Sequence, residues 1–154
     1  MMQYLRKNYR FGLDKWGAAL FLAVMLPNFF WFAVPAPSDI LRAPSLSGGL
    51  DAVAGMCQIW MAAALAGVVN RRAPAQRGLR LLPAAALGSL ACYYGAWAVY
   101  YQGVAAPAVI LALAGFPCAA FLLYEASRKN GIALVPTAIF TICHLISSAT
   151  NFII

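Results

Sequence analysis

Hydrophobic residues fall along the chain in five long runs separated by short polar breaks: Trp16 to Val34, Leu50 to Val69, Leu81 to Tyr101, Val104 to Tyr124 and Ile132 to Ile154. Nowhere does the pattern alternate apolar and polar over about 10 residues, as a membrane β-barrel strand requires. At about 1.5 Å per residue, each run is long enough as a helix to cross about 30 Å of hydrocarbon. The pattern predicts an all-α fold, a polytopic membrane bundle of five transmembrane helices forming one integral membrane domain over residues 1–154.

The breaks are PAPSDILRAPSLSGG at 35–49, NRRAPAQRGLR at 70–80, EASRKNG at 125–131 and a tight turn at Gln102 and Gly103. Such short connections join antiparallel neighbours and leave no room for a soluble domain. No internal repeat stands out, and five spans do not divide into equal inverted halves, so an inverted-repeat transporter would need a second chain. The first run is longer than a signal-peptide core, and its small-residue site at Val34-Pro35-Ala36 is followed by Pro37. It reads as an uncleaved first span.

Composition agrees, with 64% of residues hydrophobic and 10% charged. A soluble surface carries charge at about 25–35% of its positions, and a disordered chain combines high charge with low hydrophobicity. The net charge of +7 gains meaning from its placement. Arg6, Lys7, Arg10 and Lys15 precede the first span, Arg71, Arg72, Arg77 and Arg80 follow the second, and Arg128 and Lys129 follow the fourth. Only Arg42 falls on the opposite side if the spans alternate. Cations in short loops mark the cytoplasmic side, which predicts a cytoplasmic N-terminus, an outside C-terminus and a multi-pass protein of the bacterial cytoplasmic (inner) membrane. The loops are too short to build a nucleic-acid surface. Leu5, Tyr9, Leu13 and Trp16 recur at helical spacing, which sets a helix lying along the membrane against a simple tail.

Polar side chains within the runs are the candidate chemistry, because in lipid each one needs a partner. Counting about 1.5 Å per residue from each span's start puts Asn28, Gln58, Tyr93, Tyr94 and His144 in one layer, outward of the midplane. In the last span, Thr137, Thr141, His144, Ser148 and Asn151 recur at steps of four and three and share one helix face, opposite Ile139, Ile142 and Ile146. Pro27 interrupts the first span beside Asn28, and Pro117 the fourth, where each frees backbone carbonyls; Pro83, Pro107 and Pro136 fall in first turns. The third span carries small ridges, Ala84-Gly88-Cys92 and Ala91-Gly95, suited to close helix approach, and Tyr94 and Trp97 suited to walling a pocket. Asn28, Gln58, Tyr94, Trp97, Thr141, His144 and Ser148 are thus the expected ligand-binding residues. Plain interhelical hydrogen bonding accounts for the same residues without any ligand.

Cys57, Cys92, Cys118 and Cys143 sit one to a span with no C-x-x-C pair, and read as buried thiols. A single His gives no metal or haem ligand set, and no cofactor is expected. Asp51 stands at the mouth of the second span and Glu125 just beyond the fourth, so no catalytic or relay carboxylate lies within the bilayer. Asp39 and Arg42 read as a short capped turn. The expectation is a non-enzymatic membrane protein with a polar pocket that binds or translocates a small neutral or weakly charged solute, possible as a homo-oligomer. The alternative is an accessory or scaffold subunit that packs against a partner membrane protein. No nucleic-acid partner is expected.

Overall fold

The computed structural model describes residues 7–73 and 81–153. Five helices carry the fold: α1 (Lys15–Ala33), α2 (Gly48–Gly67), α3 (Leu81–Tyr101), α4 (Pro107–Ser127) and α5 (Gly131–Phe152). All five are long and apolar enough to cross a membrane. Leu5, Arg6, Arg77 and Arg80 lie outside the described residues.

The predicted spans and the helices differ by three residues or fewer at each end, but two of the shifts matter. Pro107 occupies the first turn of α4, where its missing N–H costs nothing, so the helix starts at 107 rather than 104 and runs to Ser127. Glu125, placed just beyond the fourth span by the sequence reading, therefore lies inside the helix. Pro136 is the sixth residue of α5 and so lies past its first turn, while Asn130 caps that helix by accepting from the Ala133 N–H at 3.4 Å. Gly103 makes the turn after α3 with φ of 86°, a conformation that favours glycine.

The helical spacing from Tyr9 to Trp16 does not produce a helix. Tyr9–Phe11 form a strand, β1, paired antiparallel with β2 (Val68–Asn70), Tyr9 opposite Asn70 and Phe11 opposite Val68. The Gly12 and Asp14 amides continue along the end of α2, donating to Gly67 O at 3.1 Å and Ala66 O at 2.8 Å. The carbonyls at the end of α2 thereby gain partners that no helix can give them.

α4 is the most buried span and α1 the least. α4 packs on α3 and α5, α5 packs on α2, and α1 covers α2 with lighter contacts to α4 and α3. The α1–α2 crossing is close at Gly17, where an added Cβ would stand 2.7 Å from the Leu65 carbonyl oxygen. The small ridges of α3 do not serve such a crossing. Gly88, Ala91, Cys92 and Gly95 are exposed, and nothing lies within 4 Å of a Cβ built at either glycine.

The two ends of the bundle differ in charge. Lys15, Arg71, Arg72, Arg128 and Lys129 gather at one end, which contacts across it confirm: Arg128 pairs with Asp14 at 3.2 Å, and Asn70 Nδ2 donates to Lys129 O at 2.6 Å. At the other end, Tyr101 Oη donates to Val34 O at 2.6 Å and the Leu46 amide to Asn151 Oδ1 at 2.7 Å, with Arg42 the cation described there.

Candidate functional site

The predicted pocket residues fall on two seams. On the α1–α3 seam, Asn28 Nδ2 donates to Tyr93 Oη at 2.8 Å and to the Val24 carbonyl at 3.0 Å. Tyr94 Oη donates to the Ala23 carbonyl at 2.8 Å, one of the backbone acceptors in the turn before Pro27 opens the ladder. Trp97 is buried with its ring edge-on to Tyr93 and Tyr100 and tilted against Trp31 and Tyr101. Its Nε1 has no well-aligned acceptor among the described residues, the Tyr93 hydroxyl being the polar group within its reach.

The second seam lies where α5 meets α2 and α4, and it carries the remaining predicted residues. Thr141 Oγ1 donates back to the Thr137 carbonyl at 2.7 Å and stands within hydrogen-bonding range of Cys118 on α4. The His144 ring stacks on Phe140, centroids 5.0 Å apart. Ser148 is buried. Gln58 is half-buried on α2, on the same helical face as Asp51, Ala54, Met61 and Leu65. Between the two seams, the Phe21 ring on α1 meets the Phe121 ring on α4, centroids 6.2 Å apart.

Both ends of the second seam hold a carboxylate. At the end away from the basic loops, Asp51 accepts from Ser147 Oγ at 2.5 Å, and Ser147 is bonded in turn to Ser47 Oγ at 2.9 Å and to Asn151 Nδ2 at 3.0 Å. Asp51 also interacts electrostatically with His144, one turn deeper on α5. Nearer the basic end, Glu125 is 0% exposed. Its Oε1 accepts from Thr137 Oγ1 at 2.8 Å, and its Oε2 has no hydrogen-bond partner among the described residues. A buried polar atom without a partner is rare in a folded protein and calls for a reason. Glu125 thus belongs to the last turn of α4 and not, as expected, to the loop beyond it. The sequence did contain a signal: extending the fourth helix from a Pro at its first position carries it through Glu125.

Two further carboxylates act as structural ties. Asp14, unremarked in the sequence reading, caps α1 by accepting from the Gly17 amide at 3.2 Å, and takes Tyr124 Oη at 2.8 Å and Arg128 Nε at 3.2 Å. Its place directly before an apolar run is an N-cap signature. Asp39 does not cap the 3₁₀ turn Ile40–Arg42 that follows it. Its carboxylate turns instead to Trp31 Nε1 at 2.9 Å, Tyr100 Oη at 3.0 Å, Arg42 Nε at 2.7 Å and the Ala36 amide at 3.3 Å. Arg42 lies over the Trp31 ring, 4.8 Å from its centroid. Burial of Asp39 works against its charge, but the hydrogen bonds from Trp31, Arg42, Tyr100 and Ala36 prevail and hold its pKa below 3.8.

Among the described residues, no group of three or more His, Cys, Asp or Glu side chains is arranged to hold a metal ion. Cys118 and Cys143 are buried as expected, whereas Cys92 is exposed on α3 and Cys57 half-buried; all four are free thiols. No family model, curated protein or solved structure matches the chain.

Proposed function

We propose that the chain is a multi-pass protein of the bacterial inner membrane, basic end inside and C-terminus outside, whose α2–α4–α5 seam binds or passes a small cation. One observation carries this reading: Glu125 is fully buried, with Thr137 on one carboxylate oxygen and no hydrogen-bond partner for the other among the described residues. An ionisable group inside a membrane bundle is costly to place and marks ion and proton pathways. Oε2 is the acceptor left for a proton or a small monovalent cation. His144 and the Asp51–Ser147 pair continue the polar face of α5 toward the far end. Thr137, Cys118, Ser147 and Ser148 are all buried, which suits a proton better than an organic solute. Gln58 and Thr141 flank this route, while Asn28, Tyr94 and Trp97 serve helix packing on the other seam.

The test uses purified protein in vesicles of phosphatidylethanolamine and phosphatidylglycerol with a trapped pH dye. The wild type is expected to dissipate an imposed pH gradient faster than empty vesicles, and Glu125→Gln to return the rate to theirs. Wild-type vesicles no leakier than empty ones, to protons or to sodium and potassium, would overturn the reading.

A second reading, an accessory subunit, is favoured by the outward small-residue face of α3. Faces of this kind let a neighbouring membrane helix approach closely, and cross-linking through Cys92 tests whether one does.

A further inference from the structure

At the basic end, a groove of about 730 Å³ opens between β1, the last two turns of α2 and the start of α5. Its walls are apolar, with Phe11, Trp60, Val68 and Ile132 among them, and its floor includes Gly67. Arg10 and Arg71 stand on it, both exposed, and neither forms an ion pair among the described residues. From Trp60 to Gly67 the groove follows α2 for about 10 Å, at about 1.5 Å per residue. Phe11 and Trp60 remain exposed at 94% and 64%, a large aromatic surface for the border between headgroups and hydrocarbon.

We infer that this groove is a binding site for one anionic phospholipid, its phosphate held between Arg10 and Arg71 and the upper part of an acyl chain lying along α2 over Gly67. The inference is independent of the cation pathway. Charge complementarity selects the occupant. Two unpaired guanidinium groups over an apolar trough demand an anion with a hydrocarbon tail, and guanidinium binds phosphate through paired N–H donors. Basic pockets between membrane helices take anionic headgroups for the same reason. Gly67 adds a steric argument. A Cβ built there meets nothing within 4 Å, so the missing side chain leaves depth to the groove.

The test is native mass spectrometry of the detergent-purified protein with added phosphatidylglycerol or phosphatidylcholine. One phosphatidylglycerol is expected to stay bound at collision energies that strip phosphatidylcholine. Arg10→Gln with Arg71→Gln is expected to abolish that difference, whereas Lys15→Gln with Arg72→Gln, which removes the same charge from the same end, is expected to keep it. Gly67→Leu, which fills the trough with the cations intact, is expected to lose the bound lipid while preserving the melting temperature. Equal loss in the two charge-matched doubles would overturn the site in favour of diffuse attraction. Retention in Gly67→Leu would overturn the acyl-chain placement. Displacement of the lipid by inorganic phosphate alone would show a phosphate site and overturn the lipid one.

Discussion

Asp39 shows what one side chain can hold together in a loop. It joins the last turn of α1, through Trp31, to the end of α3, through Tyr100, and fixes Arg42 over the Trp31 ring. Hydrogen bonds to a charged group contribute about 1.5–3 kcal/mol each. Its pKa is lowered by folding, so its stabilisation is fully present above the unfolded value and is lost as pH falls through the folded one. Thermal unfolding in detergent should therefore show a melting temperature that is flat near neutrality and falls below about pH 4. Asp39→Asn should lower the melting temperature at pH 7 by on the order of 5 °C and flatten that acid limb. An unchanged acid limb in the variant would show that another carboxylate governs it. The sequence exposed Asp39 and Arg42 as a pair three residues apart. It did not expose Trp31 and Tyr100 as their partners, because both come from other elements and meet the loop only after the helices pack.

Among the elements, the α1–α2 pair is the one whose packing depends on a single missing side chain. Gly17 presses against the Leu65 carbonyl, so Gly17→Ala must separate the helices or shift the end of α2. Overpacking of this kind costs about 1–3 kcal/mol. Gly88→Ala on α3, which meets nothing, should leave stability within about 0.5 kcal/mol of the wild type. Urea or heat titration of both variants in the same detergent separates these outcomes. The sequence marked Gly88, as part of a small-residue ridge, for close helix approach and gave no such mark to Gly17. Spacing tells which small residues share a face but not which face meets a neighbour. The helices themselves were legible, because hydropathy over about 20 residues is set by the solvent of the chain and not by its neighbours. α5 was legible in more detail, because its polar stripe has a helical period; Glu125 was not, because its placement turned on where α4 begins.

For the whole molecule, the separation of charge between the two ends came through from sequence to structure, since the cations known from the loops meet across one end of the bundle. The far end is closed by hydroxyl and amide contacts around Asn151 and by the Asp39 tie. Between them the molecule leaves one helix face of α3 lined by Gly88, Ala91, Cys92 and Gly95 open to its surroundings. If a second copy sits there, a bismaleimide added to native membranes should link Cys92 to Cys92 and double the apparent mass, and Cys92→Ser should abolish that band. A band of another mass identifies a different partner, and the absence of any adduct assigns the face to lipid.

The β1–β2 pair also has a consequence for how the chain is made. β2 follows α2 directly and is complete before α3 emerges, so every residue the clasp needs has been synthesised once the second span is in place. Pairing Tyr9–Phe11 with Val68–Asn70 then closes α1 and α2 into a hairpin whose two outer ends are held together. The strand pair thus ties the start of α1 to the end of α2 through contacts that need none of the three helices that follow.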